Sequence, residues 1–204
     1  MMAKLNTSLD QLLHHPGEAF KTILPYVLLA TVVFIVLHLV LSLLGRRSGR
    51  RRRGWGWFAS LVYLVTVVSV ALLGVTSFYA VIRSGMLDGW WLFAHMFGAG
   101  AFVVVLPVLA ITWGLPNRFG RRAVREDESG DQEARFFWLP QLRVWLLLVS
   151  GLAVCLTMLL SMLPIFGTEG LERLLDIHRY TGLLAVVALA IHLYCMVIQR
   201  AGLR

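Results

Sequence analysis

Long apolar stretches alternate with short polar ones along this chain, at about 23–44, 58–82, 91–113, 142–163 and 177–199. A helix of about 20 apolar residues crosses the roughly 30 Å hydrocarbon layer of a bilayer, and each stretch reaches that length. The pattern predicts an all-α integral membrane protein: one bundle of five transmembrane helices over residues 1–204, with no separate soluble domain. Pro107 falls inside the third stretch and predicts a kink there. Only 114–141 is a long connection. Pro116 marks the helix exit at its start, and Glu126–Glu133 reads as a solvated run of charge.

Composition agrees with that reading, with 58% hydrophobic and 15% charged residues. The formal charge of +8 raises the question of nucleic acid, but the placement of the basic residues answers it. Fourteen of the 19 Lys and Arg lie in three places: Arg46–Arg53, Arg118–Arg143 and Arg200–Arg204. With five spans all three fall on one side, which the positive-inside rule makes cytoplasmic. The N-terminus, the 83–90 loop and the 164–176 loop then face outward, and the C-terminus lies in the cytoplasm. The expected setting is a bacterial inner membrane, with lipid rather than nucleic acid around the chain. Trp55, Trp57, Trp90, Trp91 and Trp138 sit at the span ends, where indole rings are favoured.

Candidate chemistry is confined to histidine. Cys155 and Cys195 lie inside spans as small buried hydrophobes. No Cys-x-x-Cys-His, cysteine cluster, phosphate loop or nucleophile elbow is present, and no cleaved signal peptide is expected. His14 and His15 precede Pro16 outside the first span and read as solvated. His38, His95, His178 and His192 fall within spans, where an ionisable group is costly and functional by default. His178 and His192 are fourteen residues apart, so they leave one helix on nearly the same face, separated by roughly 21 Å of rise.

The topology allows the four to be paired by depth. His38 and His192 occupy matching positions toward the cytoplasmic side. His95 and His178 lie toward the outer side, differing by about 5 Å, which a helix tilt of about 20° absorbs. Imidazole is a standard axial ligand of haem iron. Two layers of paired histidines therefore predict two non-covalent bis-histidine haems b held between helices. Gly98, Gly100 and Gly182 are the residues expected to let a ring edge near the backbone, unless they serve plain helix packing. Arg83, Arg173 and Arg179 are the outer cations for haem propionates, and Arg46, Arg47 and Arg143 the inner ones.

His95 with Gly98, His178-x-x-x-Gly182 and the fourteen-residue step to His192 resemble the membrane cytochrome b family. That family includes cytochrome b561-like bacterial proteins and the haem b subunits of formate dehydrogenase and nickel–iron hydrogenase. The resemblance covers roughly residues 55–200. It implies a subunit of an oxidoreductase complex, rather than a catalyst on its own, that relays electrons between the quinone pool and an extracytoplasmic redox partner. The partner would be a cytochrome c, an iron–sulfur protein or similar. It also implies a bound quinone or quinol, with Asn117, Arg118 or Gln199 as polar contacts, and docking on the 83–90 and 164–176 loops. The chain departs from the family where the second span should begin with a histidine. Gly54–Ser60 holds none, so His38 on the extra first span is the expected fourth ligand. A ferric-reductase-like protein with a single haem is the second resemblance. A haem-free membrane anchor is the rival from another class, and a small proton-coupled transporter a further one.

Overall fold

The computed structural model describes residues 16–44, 56–83, 85–114 and 138–201. Five helices account for nearly all of them: α1 (Pro16–Leu44), α2 (Trp57–Arg83), α3 (Gly89–Leu109), α4 (Trp138–Ser161) and α5 (Thr168–Ala201). All five are long and apolar enough to cross a membrane. The chain is thus an all-helical, multi-pass membrane protein, as the apolar pattern predicts. The Arg46–Arg53 run, Asn117, Arg118, the Glu126–Glu133 segment, His14 and His15 lie outside the described residues.

Two boundaries differ from expectation for a physical reason. Helix α1 begins at Pro16, well before its apolar run, because proline suits a first helical turn that has no use for its missing N–H. Helix α5 begins at Thr168, so Glu169, Glu172, Arg173 and Asp176 are helical rather than part of a 164–176 loop. Apolar content marks the membrane layer, whereas backbone hydrogen bonding carries the helix on into its polar border. The connection before α5 is therefore short. Met162 and Leu163 donate N–H groups to Leu159 and Leu160, and Pro164 follows.

The α2–α3 turn is equally tight. Gly85 N–H donates back to the Ala80 carbonyl at 2.9 Å, closing the helix end. Gly85 (φ 77°) and Gly89 (φ 52°) hold left-handed backbone that a residue with a Cβ resists. Two tight hairpins result, α2–α3 and α4–α5, and each makes the most extensive helix contact in the molecule. Neighbouring helices run antiparallel, so α1, α3 and α5 start at one end of the bundle, here the near end.

The two hairpins pack together through a core of Val62, Val70, Phe102, Leu106, Leu147, Ala188 and Leu189. Helix α1 lies outside them. Its near end docks on α5 through Phe20 and Leu24 against Leu183, and Tyr180 Oη donates to the Pro16 carbonyl at 3.0 Å. The rest of α1 is exposed along Val33, Leu37, Val40 and Leu44. Lipid chains are as apolar as leucine, so this exposure costs nothing in a bilayer. Pro107 acts near the end of α3. The helix continues past it as a π-helical turn, Ala110–Gly114, which carries Trp113.

Candidate functional site

His95 leaves the second turn of α3 and His178 the third turn of α5, both half-buried near the near end of the bundle. They come from different hairpins yet lie within electrostatic range of each other. Each imidazole is gripped by the helix that precedes its own. His95 Nδ1 lies 3.0 Å from Thr76 Oγ1 and 3.3 Å from Ser77 Oγ, both on α2. His178 Nδ1 lies 3.2 Å from Thr157 Oγ1 and 3.3 Å from the Val154 carbonyl, both on α4.

These contacts fix the proton. The Val154 carbonyl only accepts, so His178 Nδ1 carries the N–H. Thr76 and Thr157 already donate their own hydroxyl protons to Leu72 and Ala153 carbonyls, at 2.7 and 2.9 Å. Their oxygens are therefore acceptors toward the rings. His178 is thus held as the Nδ1–H tautomer with the lone pair on Nε2, and the Thr76 oxygen, its own proton already donated, calls for the same form at His95. Neither Nε2 hydrogen-bonds to another described residue. A metal-ligating histidine has this form: one nitrogen tied by its N–H to a protein acceptor, the other presenting a lone pair.

Two imidazoles are too few for a zinc site, which takes three or four protein ligands. Among the described residues no group of three or more His, Cys, Asp or Glu converges. Haem differs because the porphyrin brings four nitrogens and asks the protein only for axial ligands. Gly182 is one turn beyond His178 on the same face, and a Cβ there would meet nothing within 4 Å. Gly98 has another role, with Leu72 and Leu73 of α2 already 3.3 Å from its missing Cβ. Gly100 opens outward on an exposed face.

The arginines at the near end are placed differently from one another. Arg83 closes α2 and lies over the Tyr79 ring at 5.8 Å, while Tyr79 stacks on Trp91 at 4.6 Å. Arg179 donates to Asp176 at 3.2 Å and abuts Gly17 of α1. Arg173 is exposed.

Toward the far end, His192 is buried in the core, 5.7 Å from the Tyr63 ring, which in turn lies 5.6 Å from Trp113. Arg143 of α4 is within electrostatic range. His38 is elsewhere. Its Nδ1 meets Tyr194 Oη at 2.6 Å and Ser42 Oγ at 3.2 Å, on an exposed face between α1 and α5. Tyr194 follows His192 by two residues, about 200° around the helix, so His38 and His192 address opposite sides of α5. The structure brings His95 and His178 together and does not bring His38 to His192.

Thr76, Ser77, Thr157, Tyr63 and Trp113 were not singled out from the sequence. A signal for the threonines exists in it. In an antiparallel hairpin, residues equidistant from the turn meet. Thr76 and His95 are 19 apart and centred on the 84–88 turn, whereas Thr157 and His178, 21 apart, are centred about three residues past the middle of theirs, so the signal is clear only for the first pair. No family model, curated protein or solved structure matches the chain.

Proposed function

We propose that this chain is a b-type cytochrome of the membrane, an electron-transfer subunit whose haem lies between His95 and His178. One observation carries the reading: two imidazoles within electrostatic range, each tied through Nδ1 to the neighbouring helix with its Nε2 left available, with Gly182 open one turn beyond His178. Bound there, haem iron would supply a one-electron step that no side chain of this bundle provides. The chain's own work is to hold both ligands neutral and aligned, to keep water away with apolar walls, and to offer cations at the rim. Arg83 suits a propionate better than Arg179, whose guanidinium already faces the Asp176 carboxylate.

On this reading the near end faces outward and the far end lies in the cytoplasm of a bacterial inner membrane, an orientation supported by the positive-inside rule. The haem then sits on the outer side, within reach of an extracytoplasmic redox partner, and exchanges electrons with quinone or quinol in the bilayer. The haem-free anchor is less apt, because packing alone gives no reason to leave the Nε2 of two neighbouring half-buried imidazoles without a partner among the described residues.

The second haem, on His38 and His192, receives less support. The four-ligand version needs His38 to give up Tyr194 and reach around α5, whereas a single haem on His95 and His178 needs no change of partner. A pyridine haemochrome assay with a reduced-minus-oxidised spectrum on the purified chain decides between them. One haem b per chain is the expected result. Two would restore His38 and His192 as ligands, and none in cofactor-replete, folded protein would leave the anchor reading.

A further inference from the structure

Each histidine of the near-end pair is met by a threonine from the other arm of its own hairpin, and the two arrangements repeat one another. Thr76 and Thr157 are almost sealed, at 1% and 7% exposure, so neither water nor lipid replaces their partners. Each spends its hydroxyl proton on a carbonyl one turn back, leaving an oxygen that can only accept. Each oxygen lies at hydrogen-bond distance from an imidazole Nδ1, 3.0 and 3.2 Å away. Back-bonding of this kind slightly destabilises a helix rather than strengthening it. In a span built of Leu, Val and Ala, a buried hydroxyl aimed at a histidine calls for an explanation beyond solubility.

We propose that Thr76 and Thr157 are positioning residues that set the ring orientation and the electron-donating strength of the His95 and His178 ligands. The proposal rests on the reading that this pair carries haem. The choice of a hydroxyl matters chemically. A carboxylate in its place would draw the Nδ1 proton away and leave a strongly donating, nearly anionic imidazole, which favours ferric iron. A neutral acceptor holds the ring by the same N–H and leaves the ligand neutral. The site is thereby kept from the low reduction potential that an anionic ligand imposes. Backup acceptors differ between the two sides: Ser77 beside His95, the Val154 carbonyl beside His178. The His95 side can therefore be stripped of side-chain acceptors, and the His178 side cannot lose its carbonyl.

The test uses the full chain, purified with haem b, as Thr157→Val, Thr76→Val with Ser77→Ala, and the conservative Thr157→Ser and Thr76→Ser. Readouts are haem content, reduction potential, and the low-temperature electron paramagnetic resonance spectrum of the ferric state. With the acceptors removed, the ligands donate less, so the potential shifts positive and the spectrum shifts or broadens as the rings lose their fixed angle. The shift is larger in the Thr76→Val/Ser77→Ala variant, and both serine variants stay at the wild-type values. Loss of haem in the valine variants with retention in the serine variants supports the same conclusion. Unchanged potential and spectrum in the valine variants overturn the proposal while leaving the haem reading intact. So does loss of haem in serine and valine variants alike, which reports packing. A wild-type chain without haem overturns both.

Discussion

At the residue scale, two glycines that look alike in sequence make opposite demands. A Cβ on Gly151 would lie 2.9 Å from Phe102 Cζ, so α3 and α4 approach each other only because that atom is absent. Gly151→Leu is expected to destabilise the bundle by about 1–3 kcal/mol, the usual range for overpacking, seen as a lower unfolding midpoint in detergent. Gly182 meets nothing, so Gly182→Leu should leave the midpoint unchanged and reduce haem content by filling the space beside His178. An unchanged haem content in folded Gly182→Leu would remove that space from the argument. Histidine substitutions complete the set. His95→Ala and His178→Ala should each abolish the bis-histidine spectrum, whereas His38→Ala should leave one haem per chain in place.

At the element scale, the molecule is two helical hairpins with a fifth helix laid against them. Helix α1 touches α5 through Phe20, Leu24 and the Tyr180–Pro16 bond, and nothing in its main apolar window is buried. No residue of α1 contributes to the His95–His178 clamp. A chain beginning after residue 44 is therefore expected to keep its haem spectrum with a lower unfolding midpoint. Loss of the spectrum in folded, truncated protein would show that α1 supports the ligands through α5. The π-helical turn after Pro107 belongs to this scale as well. By inserting an extra residue into the turn, it aims Trp113 at Tyr63 and so at the His192 layer.

At the scale of the whole molecule, charge and apolar surface orient the chain. Leu29, Val32, Val104, Val149 and Val197 face outward, giving a surface suited to hydrocarbon rather than water. The arginine-rich segments all attach at the far end, so fusions read their side directly. A fluorescent protein after Arg204 should be active in the cytoplasm. A phosphatase inserted at the Gly85–Asp88 turn should be active outside. The reverse pattern would invert the molecule and place the His95–His178 layer on the cytoplasmic side.

How much was legible in advance follows from how local each signal is. Five spans follow from apolar run length, a property of neighbouring residues alone, and the hairpins follow from how few residues join them. That His95 and His178 share a depth also follows from counting residues along spans. Rotation about the helix axis does not. Whether His38 turns toward His192 or Tyr194, and whether Thr76 and Thr157 face a histidine or lipid, depends on which faces of packed helices meet. Counting along one helix carries no information about its neighbour's rotation. Length, direction and depth are thus determined by the sequence of each helix. The pairing of side chains across helices, and with it the His95–Thr76 and His178–Thr157 contacts, is decided only when the helices pack.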